Sequence, residues 1–162
     1  MHLRTLIDAE ALADRLGDSR LRLFDCRFDL ARPADGRERY LEEHLPGATY
    51  ADLNLDLSAP ATATSGRHPL PTPAAFESRL RSWGVDADSL VVAYDDGNGM
   101  YAARLWWMLR WVGHDDVAVL DGGMRRWRQL GLPVTDTLPH PATGNFVARP
   151  RPALAVDAAT VL

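Results

Sequence analysis

Leu90-Val91-Val92-Ala93-Tyr94, followed directly by Asp95-Asp96-Gly97-Asn98-Gly99, decides the fold class. The apolar run is too short for a buried helix, shows no polar alternation, and is bounded by turn formers. Such a run predicts a strand buried on both faces, which is the habit of a parallel sheet covered by helices on each side. Downstream, Gly97 to Trp111 reads as a helix ending at Gly113. Val117-Ala118-Val119-Leu120 is a second unbroken apolar strand. Asp121-Gly122-Gly123 then turns the chain into a helix from Met124 to Leu130, closed by Gly131 and Pro133.

Working upstream, Thr72 offers an N-cap with Pro73 at the first helical position, and that helix runs to about Trp83 before Gly84. Leu57 to Pro73 holds four prolines and forms a long loop. Ala48-Thr49-Tyr50 is a short strand, Gly36 to Glu43 a short helix stopped by Pro46-Gly47, and Leu21 to Asp25 an alternating strand. The opening, Met1-His2-Leu3-Arg4 and onward to Leu16, reads as an amphipathic helix entry. Strands and helices alternate with short connections, so the class is α/β with helices on both faces of a parallel sheet. In such sheets function gathers beyond the carboxyl ends of strands. Three ends qualify: Asp25-Cys26-Arg27, Asp95-Asp96-Gly97 and Asp121-Gly122-Gly123.

Composition narrows the chemistry. The chain has 162 residues, 46% hydrophobic and 25% charged, enough for one core without staples. All 18 basic residues are arginine; without lysine, Schiff-base catalysis and P-loop phosphate binding are excluded. The net charge is −4 and the arginines are scattered, so no nucleic-acid stripe is expected. No apolar run reaches membrane-span length and no secretory leader is read, which makes a cytoplasmic setting the default. Cys26 is the single cysteine, and His2, His114 and His140 show no metal spacing, so neither a metal nor a cofactor is expected.

Each candidate residue carries two readings. Asp95 and Asp96 precede a Gly-rich turn and a helix, where backbone N–H groups form an anion nest. One reading is a carboxylate nucleophile, as in aspartate-based phosphatases; the favoured one is a carboxylate that fills the nest with its own charge. Cys26 lacks a Gly-rich turn and reads as an inert buried thiol. The helix around Trp106, Trp107 and Trp111 is apolar nearly all round and needs cover on its far side, from this domain or another. His68, bracketed by prolines, has a well-placed ring, and His44 closes its helix favourably for the dipole. Pro133 to Pro152 holds five prolines and reads as a linker. Beyond it, Val156-Asp157-Ala158-Ala159-Thr160-Val161 repeats the pattern of Ile7-Asp8-Ala9-Glu10-Ala11-Leu12, the signature of a second copy beginning there.

Together these motifs resemble the rhodanese domains of two-domain thiosulfate and 3-mercaptopyruvate sulfurtransferases. The carriers are His44-Leu45-Pro46-Gly47-Ala48, Gly66-Arg67-His68-Pro69-Leu70-Pro71, Val92-Ala93-Tyr94-Asp95, Ala103-Arg104-Leu105-Trp106-Trp107, and Val119-Leu120-Asp121-Gly122-Gly123 with Trp127. The resemblance implies a rhodanese-like fold, a parallel sheet of about five strands with helices on both faces. It divides the chain into a domain of the non-catalytic type, residues 1–135, and a linker with the start of a second, absent domain, residues 136–162. In that family only the second domain carries the cysteine that takes sulfane sulfur as a persulfide and passes it to cyanide or another thiophile. Here Asp95 and Asp96 stand at the cysteine's position, so the resemblance implies an N-terminal half that is inactive alone. Its partners would be the C-terminal domain of the same protein and a small sulfur-donor anion. Arg67, His68, Arg104 and Asp52 would lie at the substrate cleft or interdomain face. His68 matches a histidine some mercaptopyruvate-type members lend to the second half. Its acidic partner falls at Asn54, which tilts the expectation toward thiosulfate. A free-standing regulatory or binding module of the same fold, and an aspartate-based phosphatase, are the readings from other classes.

Overall fold

The computed structural model describes residues 5–161; the helix entry read at Met1 to Arg4, with His2, lies outside the described residues. Five strands, β1 (Leu6–Ile7), β2 (Leu21–Asp25), β3 (Ala48–Tyr50), β4 (Leu90–Tyr94) and β5 (Val117–Leu120), form one parallel sheet in the order β1-β5-β4-β2-β3. The helices are α1 (Ala9–Ala13), α2 (Asp35–Glu42), α3 (Pro73–Ser82), α4 (Ala102–Trp111), α5 (Gly123–Gln129) and α6 (Ala158–Val161).

Every residue of β4 and β5 is buried, as their unbroken apolar character predicts. Successive side chains of a strand point to opposite faces, so one strand feeds two cores. Val91 and Ala93 pack with Phe76 and Leu80 of α3 and Leu105, Met108 and Leu109 of α4. Leu90, Val92 and Tyr94 pack with Leu12 of α1 and Met124 and Trp127 of α5. Thr72 caps α3 as expected: its hydroxyl accepts from the Ala75 N–H at 3.2 Å.

Two local expectations are corrected. The sequence pattern predicts an amphipathic helix entry at the start of the chain, but Leu6–Ile7 is an edge strand, paired with Val119 and Leu120. The open edge of β5 supplies partners that an isolated turn of helix lacks, and α1 begins only after Asp8, whose carboxylate accepts from the Ala11 N–H at 2.7 Å. Likewise α4 begins at Ala102 rather than Gly97. The intervening residues wrap a carboxylate, as described below.

The proline-rich stretch from Pro133 to Pro152, which the sequence presents as a linker, lies along the domain. The N–H groups of Gly144, Phe146, Arg149 and Arg151 donate to the carbonyls of Arg81, Val85, Val112 and Trp111 at 2.8, 3.1, 2.8 and 2.8 Å. Gly144 is required there, because a Cβ would come within 2.1 Å of the Val85 carbonyl oxygen. Phe146 is buried in the α3–α4 core, so this strap supplies part of the cover that α4 needs. After it, the Asp157 carboxylate accepts from the N–H and hydroxyl of Thr160, at 2.8 and 2.7 Å, at the start of α6. Asp8 plays the same part at α1, so the repeated sequence pattern is also a repeated local structure.

Candidate functional site

The loop after β4 is built around one side chain. Asp95 is buried, and each carboxylate oxygen accepts two backbone N–H groups: Oδ1 from Gly97 and Gly99 at 2.9 and 3.0 Å, Oδ2 from Tyr101 and Ala102 at 3.0 and 3.2 Å. Gly97 and Gly99 have φ of 145° and 75°, which lets the backbone turn its N–H groups inward. Four charge-assisted donors on one carboxylate leave no lone pair poised for attack and no room for an external anion. The aspartate-based phosphatase reading therefore does not fit. Asp96 points the other way, half-exposed, and pairs with Arg39 Nη1 at 2.6 Å.

The end of β2 holds a second buried cluster. Asp25 and Arg27 are both fully buried; Arg27 Nε lies 3.0 Å from each carboxylate oxygen and Nη2 donates to Oδ2 at 2.6 Å. Nη2 also donates to the Glu43 carbonyl at 2.7 Å, and the Tyr94 hydroxyl donates to Asp25 Oδ2 at 2.8 Å while accepting from the Leu45 N–H at 3.2 Å. This network ties β2, β4 and the turn after α2 together. Sequence reasoning missed it, although a spacing of two places Asp25 and Arg27 on one face of an extended segment, which was the available signal. Cys26 between them is buried, and its N–H donates to the Tyr94 carbonyl at 2.7 Å. Burial pushes its thiol well above the usual range, and the carboxylates of Asp25, Asp95 and Asp56 push the same way. A thiolate, the form that attacks sulfur, is strongly disfavoured there.

The long loop brings the other predicted residues together in unequal roles. Nε2 of His68 lies 2.9 Å from Oδ1 of Asn54, the position that the family resemblance sets opposite it. Partial burial, then the guanidinium groups of Arg104 and Arg67, hold the His68 ring below its ordinary pKa. Because the Asn54 oxygen can only accept, the His68 proton in this bond sits on Nε2, and a ring carrying no second proton presents a lone pair on Nδ1. Arg104 is engaged in holding the loop: Nε and Nη2 donate to the Leu57 carbonyl at 3.1 and 2.7 Å, and Nη2 to the His68 carbonyl at 3.0 Å. Asp52 is engaged in its own turn, where Oδ1 accepts from the Asn54 and Leu55 N–H groups at 2.8 and 3.0 Å. Arg67 is exposed and has no ion pair among the described residues. A groove of about 470 Å³, lined by Arg37, Leu41, Asp52, Asn54 and Leu55, opens beside the His68–Asn54 pair. Leu30, Leu55 and Met100, which follow β2, β3 and β4, are exposed apolar tips. His44 is buried, with Nδ1 2.7 Å from the Tyr40 carbonyl of α2 and Nε2 3.0 Å from the Thr137 carbonyl of the strap. Among the described residues no three His, Cys, Asp or Glu side chains come together as a metal site, and no helix is long and apolar enough to cross a membrane.

Comparison with known proteins gives a consistent picture. A family model, rhodanese-like domain, matches residues 8–130. The chain is similar to a probable 3-mercaptopyruvate sulfurtransferase of Pseudomonas aeruginosa, 47% identical over 158 residues, which is 96% of this chain and 56% of that protein. It is also similar to the putative thiosulfate sulfurtransferase SseB of Mycobacterium tuberculosis, 40% identical over 144 residues, 88% of this chain and 50% of that protein. Among solved structures, the 3-mercaptopyruvate sulfurtransferase SseA of Escherichia coli superimposes with a TM-score of 0.87 at 32% identity, over 98% of this chain and 60% of that one. The chain spans about half the length of the curated relatives it matches.

Proposed function

The chain belongs to the rhodanese-like domain family, and on that premise we propose that it is the non-catalytic N-terminal half of a two-domain sulfurtransferase. In this reading sulfane sulfur moves from thiosulfate or 3-mercaptopyruvate to cyanide or another thiophile through a cysteine persulfide held by a C-terminal domain. The observation that carries it is the filled nest after β4. A ring of four N–H groups is what a persulfide-bearing cysteine requires to stabilise its charge, and here the Asp95 carboxylate occupies that ring permanently. The one thiol, Cys26, is buried and held in its neutral form.

The relatives, roughly twice as long and named as sulfurtransferases, support a tandem arrangement. So does the second Asp-capped turn at residues 157–160. Within it, Arg67 and His68 supply charge and hydrogen bonding to an anionic donor at the interdomain cleft, while Arg104 and Asp52 hold their loop in place. Positive charge near a cleft raises the encounter rate of anions more than their affinity. A cytoplasmic setting is part of the same reading.

The test is direct. The chain alone, incubated with thiosulfate, should show no added sulfur by intact-mass measurement and no thiocyanate formation from cyanide. The native polypeptide should continue into a second copy with a cysteine in the corresponding nest, and the two-domain protein should turn over. In that protein Arg67→Ala and His68→Ala should lower kcat/KM for the donor with folding stability unchanged. Turnover by the verified 162-residue chain would overturn the proposal, and a native polypeptide ending at Leu162 would favour the free-standing module.

A further inference from the structure

The tip of the loop that wraps Asp95 carries a chemistry of its own. Asn98 is exposed and followed by Gly99, and this is the chain's single Asn-Gly pair. Gly99 has no Cβ to shield its backbone nitrogen, and its φ of 75° places it in the left-handed region that other residues avoid. Two hydrogen bonds then act on the pair. Asn98 Oδ1 accepts from the Met100 N–H at 3.0 Å, which polarises the side-chain amide carbonyl. The Gly99 N–H donates to Asp95 Oδ1 at 3.0 Å, so the nitrogen that would attack has a carboxylate already in contact with its proton. We propose that Asn98 is a site of spontaneous covalent modification in the folded protein, deamidating through a cyclic imide with Gly99.

The step balances without a co-reactant other than water. The Gly99 backbone nitrogen attacks Cγ of Asn98, forming an N–Cγ bond. The Asp95 carboxylate takes the proton from that nitrogen and returns it to solvent, while Nδ2, exposed, takes a proton from water. The Cγ–Nδ2 bond breaks and ammonia departs. Water then opens the succinimide at either carbonyl, giving aspartate or isoaspartate at position 98. Neither carbon nor nitrogen changes oxidation state.

The remaining asparagines serve as internal controls. Asn54 is followed by Leu55, and its Oδ1 is held by His68. Asn145 is followed by the buried Phe146, and its Oδ1 accepts from the Ala87 N–H at 3.0 Å. Either product places a new negative charge beside Asp95 and Asp96. The isoaspartyl product also lengthens the backbone between the Gly97 and Gly99 N–H groups that hold Asp95, so modification loosens the nest.

The experiment incubates the folded chain at mildly alkaline pH and follows each asparagine by tryptic peptide mass. The peptide Ser82 to Arg104 contains Asn98 as its one asparagine. The expected result is replacement of NH2 by OH at Asn98 at roughly tenfold or more the rate at Asn54 and Asn145, since a side chain on the following residue obstructs the attack. Conversion at Asn98 should be at least as fast in the folded chain as in the chain unfolded in urea, and absent in Asn98→Gln. Conversion slower in the folded chain would mean that the Asp95 contact restrains Gly99 rather than assisting it, and would overturn the proposal. Equal rates at all three asparagines would overturn it as well.

Discussion

Asp95→Asn isolates the energetics of the filled nest. The substitution is nearly isosteric, but the amide keeps one acceptor oxygen and replaces the other with an NH2 donor. Oδ1 can still serve Gly97 and Gly99, while the new donor faces the N–H groups of Tyr101 and Ala102, which lose their acceptor. Each buried donor left unsatisfied costs about 1–3 kcal/mol, and the two surviving bonds lose their charge assistance. Allowing for partial relaxation of the loop, the expected loss is about 2–4 kcal/mol. That is a large share of the 5–15 kcal/mol by which a domain is typically stable, approximately. With a urea m-value of about 2 kcal/mol per molar, the unfolding midpoint should fall by about 1–2 M. Asp96→Asn is the matched control. It removes a half-exposed ion pair with Arg39, worth roughly 0–1 kcal/mol, one residue away. Urea titration of the three proteins, followed by tryptophan fluorescence, reads the difference. If Asp95→Asn unfolds at the wild-type midpoint, or if Asp96→Asn is the more destabilising change, the four-donor account of this loop is wrong.

Phe146→Ala should cost about 3 kcal/mol in the same titration, as burial of a core aromatic demands, whereas Val147→Ala, exposed on the same strap, should stay within about 0.5 kcal/mol; equal small effects would show that the strap is not part of the cooperative unit. Burial holds the pKa of His114 below its ordinary value of 6.5, so as pH falls through that value the unfolded chain binds the proton first. Stability is therefore complete above the ordinary value and declines below it, and His114→Gln should flatten that decline in pH-dependent melting; an unchanged slope refutes the assignment. Cys26 should resist thiol reagents in the folded protein and react on unfolding, because burial raises its pKa and excludes the reagent; labelling of the native chain at the rate of a free thiol would contradict this.

Much of the fold was legible because it rests on local rules. An apolar run such as Leu90–Tyr94 cannot face water on either side, and Thr72-Pro73 or Gly122-Gly123 impose backbone geometry wherever they occur. The Asp95 nest was legible for the same reason, since an acid before a Gly-rich turn finds its donors within seven residues. Less legible were features made by groups distant in sequence. The start of α4 was misplaced by the carboxylate that captures its first N–H groups, and Leu6–Ile7 became a strand because β5, more than a hundred residues later, offered an open edge.

The α/β class, the buried central strands, the absence of lysine chemistry and the occupied nest all follow from side-chain type and short-range geometry along the chain. Tertiary structure alone decided which charged side chains hold the loops and which stay free. Arg104, Arg67 and Asp52 are equally polar on paper, yet Arg104 is engaged with the carbonyls of Leu57 and His68, Asp52 with its own turn, and Arg67 with no ionic partner among the described residues. The physical reason is desolvation: a loop carbonyl buried by the fold must find a donor, and only the folded backbone determines which arginine stands within reach.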